Sequence, residues 1–140
     1  MTPDGGARGG TVGDWMSKPP MAVAEDTPIR AAIAQMERAD VRHLLVMDGP
    51  VLTGILSIRD LRRIVGRESG EPALSAPVRS IMSEGPLGVG RGVPMTVAAR
   101  LLLERRIGAL PVWDGEQVVG VFTAADALEA LLAIAEGPRA

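Results

Sequence analysis

A chain of 140 residues with a formal charge of −2 fits one domain of ordinary size, and it carries no broad basic field of the kind that draws nucleic-acid phosphates or anionic membranes. It has no cysteine and one histidine, His43, which excludes disulfides and thiolate chemistry and disfavours a zinc or copper site. The hydrophobic share of 46% comes from aliphatic side chains, with Trp15, Trp113 and Phe122 as the aromatics, so the expected core is aliphatic and finely divided.

Residues 1–11 are rich in glycine, lack apolar periodicity and are predicted to form a mobile tail. No basic and apolar leader opens the chain and no segment approaches roughly eighteen apolar residues, from which a soluble, cytoplasmic protein is expected. Gly13-Asp14-Trp15-Met16-Ser17 reads as a short helical turn, and Met21-Ala22-Val23 as a brief strand. Thr27-Pro28 then predicts a helix start, Thr27 capping free amides while Pro28 takes the first helical position. Ile29, Ile33 and Met36 follow at helical spacing as an inward stripe. His43-Leu44-Leu45-Val46-Met47 is an apolar run ended by the turn signal Asp48-Gly49-Pro50, and residues 51–56 supply a second run, so an antiparallel hairpin is expected. Residues 58–65 look helical, with Leu61, Ile64 and Val65 at apolar spacing. Residues 66–77, with Gly70, Pro72 and Pro77 among Ser and Glu, have the composition of a connection.

From Val78 onward the pattern starts again. A strand is predicted at Leu87-Gly88-Val89, a helix over 94–106, strands over 109–112 and 117–123, and a last helix to about residue 136. Val93 stands where Thr27 would cap, so the second helix start carries the weaker local signal. The recurrence is literal: Gly54-Ile55-Leu56-Ser57-Ile58-Arg59-Asp60 returns as Gly120-Val121-Phe122-Thr123-Ala124-Ala125-Asp126, 66 positions on. The same shift pairs Met16 with Met82, Ser17 with Ser83, Val23 with Val89, Pro28 with Pro94 and Asp48-Gly49 with Asp114-Gly115. The chain is therefore a duplication, an α/β (α+β) fold of two β-α-β-β-α repeats, with a tail at 1–11, repeats at 12–65 and 78–136 and a linker at 66–77. A unit this short is expected to bury its apolar face against its twin, which makes the seam a natural place for a ligand.

Ser57-x-x-Asp60 and Thr123-x-x-Asp126 stand at strand-to-helix junctions and admit two readings. One is a capping box, in which hydroxyl and carboxylate satisfy amides of the first helical turn. The other is a ligand site, in which free amides and the helix dipole suit an anion while the carboxylate accepts hydrogen bonds from a vicinal diol, together matching a ribose phosphate.

With the doubled Gly-h-h-[Ser/Thr]-x-x-Asp, the Ile107-Gly108-Ala109-Leu110-Pro111-Val112 strand and the Met16-Ser17 and Met82-Ser83 entries, the chain resembles the cystathionine β-synthase (CBS) domain family from about Val12 to Leu131. Tandem pairs in that family are known as Bateman modules. The resemblance implies an adenosine-type ligand such as AMP, ADP or ATP, with S-adenosylmethionine possible, held in clefts between the units. It implies ribose binding by Asp60 and Asp126 and phosphate contact by Ser57 and Thr123. It places the base near Val23, Arg42, His43 and Leu44 in one copy and Val89, Gly108, Ala109 and Leu110 in the other. No metal and no catalytic group are implied.

The copies differ in charge. Arg59 lies inside the first motif with Arg42 and His43 close by in sequence, whereas Thr123-Ala124-Ala125-Asp126 offers no cation, so phosphate is expected at the Asp60 copy, with Arg59 contributing. Gly85-Pro86-Leu87-Gly88-Val89-Gly90-Arg91-Gly92 suggests a phosphate loop but lacks the Gly-Lys-Ser/Thr ending, and is read as a flexible loop. His43 in an apolar run with no nucleophile nearby reads as structural. Leu101, Leu103, Leu128, Leu131 and Leu132 give the later helices more apolar surface than one contact needs, and a homodimer through them is expected. The leading function is an adenosine-nucleotide sensor acting on a separate, unidentified protein. The alternative is a ligand-free dimerisation scaffold, and an enzyme is the least supported reading.

Overall fold

The doubled pattern becomes a doubled set of elements. The computed structural model describes residues 9–67 and 71–137. In chain order these form α1 (Val12–Trp15), β1 (Ala22–Ala24), α2 (Ile29–Ala39), β2 (His43–Asp48), β3 (Val51–Ser57), α3 (Ile58–Arg67) and α4 (Glu71–Ser75). A 3-10 turn at Val78–Ser80 follows, then β4 (Ser83–Glu84), β5 (Val89–Gly90), α5 (Met95–Arg105), β6 (Ala109–Asp114), β7 (Gln117–Thr123) and α6 (Ala124–Glu136). The expected strand-helix-strand-strand-helix order is present twice, as β1-α2-β2-β3-α3 and β5-α5-β6-β7-α6.

These elements gather into two units whose borders are offset from the sequence repeats: residues 21–86 form one, and residues 9–20 with 87–137 form the other. In the 21–86 unit, β1 lies parallel to β2, and β2 and β3 form the antiparallel hairpin, which β4 extends by a fourth strand. In the other unit β5 is parallel to β6, and β6 and β7 form the equivalent hairpin. Both hairpins close through two residues, with Gly49 at φ 58° and Gly115 at φ 62°, a left-handed conformation that glycine adopts without a Cβ penalty. Each hairpin also has a register shift at the same place, between Val46 and Met47 and between Val112 and Trp113.

The offset between units and repeats has a specific backbone origin. Val78 N donates to Thr27 O at 2.8 Å and Ile29 N to Ala76 O at 2.9 Å, while 66 positions away Val12 N donates to Val93 O at 2.8 Å and Met95 N to Gly10 O at 2.9 Å. The segment that opens each sequence repeat thus pairs with the helix start of the other. This corrects the expected capping. Pro28 and Pro94 are themselves the extended N-cap residues, no side chain caps either helix, and a carbonyl from the crossing segment satisfies the first helical amide instead. The change from Thr27 to Val93 therefore costs the second helix nothing.

Two other expectations change for the same reason. Within 66–77, α3 runs on to Arg67, α4 occupies Glu71–Ser75, and Ala73 is buried, as is Val78 next to it, so much of the stretch belongs to the 21–86 unit; residues 68–70 lie outside the described residues. Of the predicted tail, residues 1–8 lie outside the described residues, whereas Gly10 and Thr11 pair with Met95 and Pro94.

The core of the 21–86 unit includes Ile29, Ala32, Met36, Leu44, Val46, Leu56 and Leu61, with Ile33 packed at its margin. That of the other unit includes Val12, Met95, Ala98, Leu102, Leu110, Val112 and Phe122. The bulk is redistributed between the copies: Leu56 on β3 and Leu61 on α3 correspond to Phe122 on β7 and Ala127 on α6. A larger strand residue goes with a smaller helix residue, as close packing at nearly constant volume requires.

Candidate functional site

Each Gly-h-h-[Ser/Thr]-x-x-Asp motif runs from the middle of a hairpin strand into the first turn of the following helix, and its opening glycine has a steric purpose. A Cβ on Gly120 would stand 2.6 Å from Met16 Sδ and 2.9 Å from the Ser17 carbonyl oxygen; one on Gly54 would stand 2.4 Å from Met82 Sδ and 3.0 Å from the Ser83 carbonyl oxygen. The methionine of each Met-Ser entry lies over the glycine of a motif 104 positions later or 28 earlier, and glycine is the residue that leaves it room. The serine that follows is held in register. Ser17 N donates to Val121 O at 2.8 Å and Val121 N to Ser17 O at 3.0 Å, and Ser83 faces Ile55, the equivalent of Val121, in β4.

In the first copy, β2 and β3 place His43 directly opposite Ser57. Ile58 N donates to Arg42 O at 2.8 Å, which starts α3, and Asp60 N donates to Ser57 Oγ at 3.3 Å. The Asp60 carboxylate meets Arg63 at 3.1 Å, with side chains 47% and 55% exposed. His43 is half-buried, and desolvation lowers its pKa from the ordinary 6.5; nearby Asp60 opposes the shift, while Arg42 and Arg59 add to it. Histidine, arginines, hydroxyl and carboxylate are thus gathered at one end of the hairpin. A hollow of about 230 Å³ opens beside them, lined by Met36, Glu37, Asp40, Val41, Arg42, Ile58 and Arg62.

The second copy has the same backbone and different chemistry. Ala109 replaces His43 opposite Thr123, Ala124 N donates to Gly108 O at 3.0 Å, and Asp126 N donates to Thr123 Oγ1 at 3.1 Å. The capping box closes, with Thr123 N donating to Asp126 Oδ2 at 2.9 Å. Ser17 Oγ then reaches both carboxylate oxygens at 3.1 Å. Asp126 is 7% exposed and is the one buried charged residue among the described residues.

The residues named from sequence fall into three groups. Ser57, Arg59, Asp60, Arg42 and His43 are brought together in the first copy, and Thr123, Asp126 and the Gly108 backbone in the second. Val23, Leu44, Val89, Ala109 and Leu110 are buried, Leu44 and Leu110 fully, and except for Ala109 they belong to the two cores. Ser17 was not among the candidates. Its signal was the Met-Ser doublet recurring at the shift of the motifs, a pattern with no local structural reason. The glycine-rich stretch is neither a phosphate loop nor free along its length: Val89–Gly90 is strand β5, Gly88 lies against Trp113, and Arg91 pairs with Asp114 at 3.3 Å.

On the dimer candidates, Leu101 packs partly into the core, whereas Leu103, Leu128, Leu131 and Leu132 are exposed, Leu103 to 77%. Among the described residues no cluster of His, Asp or Glu suited to a metal occurs, and no helix is long and apolar enough to cross a membrane.

Comparison with known proteins accounts for the repeated geometry. The CBS domain family model matches residues 12–67 and again 78–133. A CBS domain-containing protein of Dictyostelium discoideum is 30% identical over 131 residues, covering 86% of this chain and 90% of that protein. Among solved structures, CBSX2 in complex with AMP is 28% identical with a TM-score of 0.71, over 89% of this chain and 98% of that one. The CBS domain pair of protein MJ0100, in complex with 5′-methylthioadenosine and S-adenosyl-L-methionine, shares the fold at 23% identity and a TM-score of 0.76, over 88% and 95% of the two chains. With two family matches, a relative aligned over most of both lengths and the twinned motif geometry, this chain belongs to the CBS domain family and carries two such domains.

Proposed function

We propose that the chain is a regulatory module that binds an adenosine nucleotide of the AMP, ADP or ATP type through its first motif, without catalysing a reaction. The observation that carries this reading is the state of Asp60: a half-exposed carboxylate engaged by one surface ion pair, next to Ser57, with Arg59 and Arg42 near enough to act on His43. An ion pair of that exposure is worth about 0–1 kcal/mol, so a diol displaces it at little cost. The AMP, methylthioadenosine and S-adenosylmethionine in the related structures support the ligand class. The exposed leucines of α5 and α6 support action as a homodimer, and the regulated protein would be a separate chain.

Thermal unfolding with and without millimolar AMP, ADP, ATP and S-adenosylmethionine tests the reading. A ligand at one hundred times its dissociation constant stabilises the native state by about 2.7 kcal/mol. A second reading, a ligand-free dimerisation scaffold, is favoured by one observation, the fully closed capping box at Thr123 and Asp126. Absence of a shift with all four compounds selects it.

A further inference from the structure

The two motif carboxylates differ in what holds them, and the difference traces to a residue outside both motifs. We infer that Ser17 decides which motif takes a ligand: by donating to Asp126 it occupies the second copy's carboxylate from within the chain and leaves Asp60 as the available one. The inference rests on the reading that motif carboxylates bind ribose hydroxyls.

An ionised carboxylate offers about four acceptor positions. At Asp126 the Thr123 amide takes one oxygen at 2.9 Å, and the Ser17 hydroxyl lies 3.1 Å from both. About two positions remain by count, but the carboxylate is 7% exposed with Ser17 against both oxygens, so a diol that bonds both oxygens competes with Ser17. That hydroxyl is held by the paired backbone of Ser17 and Val121 and by Met16 against Gly120, so it competes without the entropy of association that a free ligand pays. The burial of Asp126 sharpens the competition, because an acceptor taken out of water is costly to leave unpaired.

The equivalent serine does not do this. Ser83 has the same strand register opposite Ile55 and the same methionine over glycine, yet among the described residues its hydroxyl makes no hydrogen bond to Asp60. Asp60 turns to Arg63 instead. Sixty-six positions on, Arg63 becomes Glu129 and Arg59 becomes Ala125, so Asp126 has an acid where Asp60 has its cation. Lacking a cation in its own helix turn, Asp126 is satisfied by Ser17, whereas Asp60 keeps an exposed partner that a ligand can replace.

Calorimetric titration of the full chain with AMP separates the possibilities. The wild type is expected to take one AMP per chain, Ser17→Ala two, and Ser17→Thr, which restores the hydroxyl, one. Asp60→Ala is expected to weaken binding more than about tenfold, and Asp60→Ala with Ser17→Ala to bind one AMP per chain at the second motif. A wild type that already takes two, or a Ser17→Ala variant that still takes one, overturns the inference while leaving nucleotide binding intact. If none of these proteins binds AMP, ADP or ATP, the nucleotide reading itself is overturned. The tie between the residues is read without nucleotide from urea midpoints of Ser17→Ala, Asp126→Asn and the double variant. Additive shifts overturn the tie, and a double variant no worse than Asp126→Asn supports it.

Discussion

The two repeats are one backbone carrying two different chemistries. Strand pairing, register shift, hairpin turn, methionine over glycine and the carbonyl that starts each motif helix recur at a constant offset. The side chains at the helix start do not: Arg42, His43, Arg59 and Arg63 stand in one copy where Gly108, Ala109, Ala125 and Glu129 stand in the other. The result is a charged, half-exposed carboxylate at Asp60 and a buried one at Asp126, satisfied from inside the chain. A motif of one hydroxyl and one carboxylate is thus not a function. Its neighbours decide whether its carboxylate is closed into local structure, as at Asp126, or left half-exposed, as at Asp60.

The sharpest test of this division of labour starts in the cores. Phe122 is fully buried where the first copy has Leu56, and Phe122→Ala is expected to cost about 3–5 kcal/mol, with Leu56→Ala toward the lower part of about 2–5 kcal/mol. Urea unfolding measures both, and equal losses would show that the copies tolerate truncation alike. The carboxylates should then separate in opposite directions. On the proposed reading Asp60→Ala is expected to weaken AMP by about 1.5–3 kcal/mol, more than Asp126→Ala, because Asp60 is half-exposed whereas Asp126 is buried. For stability the order reverses. Asp126→Ala leaves the Thr123 amide and the Ser17 hydroxyl without their acceptor, at about 1–3 kcal/mol. Asp60→Ala gives up a surface pair worth about 0–1 kcal/mol. Calorimetry and urea melts on the two variants check the crossing, and a variant that loses more of both quantities defeats it.

The motif glycines give a smaller contrast. Gly120→Ala drives a Cβ against a backbone oxygen 2.9 Å away as well as the Met16 side chain, whereas at Gly54 the nearest backbone oxygen is at 3.0 Å and the closer contacts are to the flexible Met82. Overpacking of this kind costs about 1–3 kcal/mol, and Gly120→Ala should lie above Gly54→Ala within that range. Thermal melts of the two variants decide the order.

Most of the architecture was legible because duplication prints the same signals twice. The hairpins at Asp48-Gly49 and Asp114-Gly115 and the helical stripe through Ile29 and Met36 follow from local spacing, and the CBS resemblance rests on the motifs that recur in both copies. What was misread depends on pairing between residues far apart in sequence. Thr27 looked like a cap because the carbonyl of Ala76, which serves the helix, is invisible to a local reading, and residues 66–77 looked like a connection although Ala73 and Val78 are buried. The charge asymmetry of the motifs could be read from Arg59 and Ala125 alone. The tie between Ser17 and Asp126 spans 109 positions, and its only trace was a doublet repeated in phase with the motifs.

His43 supplies the most subtle contrast, since Ala109 takes its place in the second copy. Burial lowers its pKa in the folded chain, so at neutral pH it is uncharged beside Arg42, Arg59 and Asp60. As pH falls through the ordinary value of 6.5, the unfolded chain takes up this proton before the folded chain does. The unfolded state then binds more protons, and stability declines with acidification until the folded His43 also protonates; above that ordinary value the contribution is fully present. His43→Ala makes the first copy like the second at this position and should remove that part of the decline. Urea midpoints between about pH 7 and about pH 5 compare wild type and variant over the window where histidine, rather than the carboxylates, dominates the titration. Parallel profiles would mean that the histidine titrates alike in the folded and unfolded chains, so that its burial contributes nothing to the pH dependence.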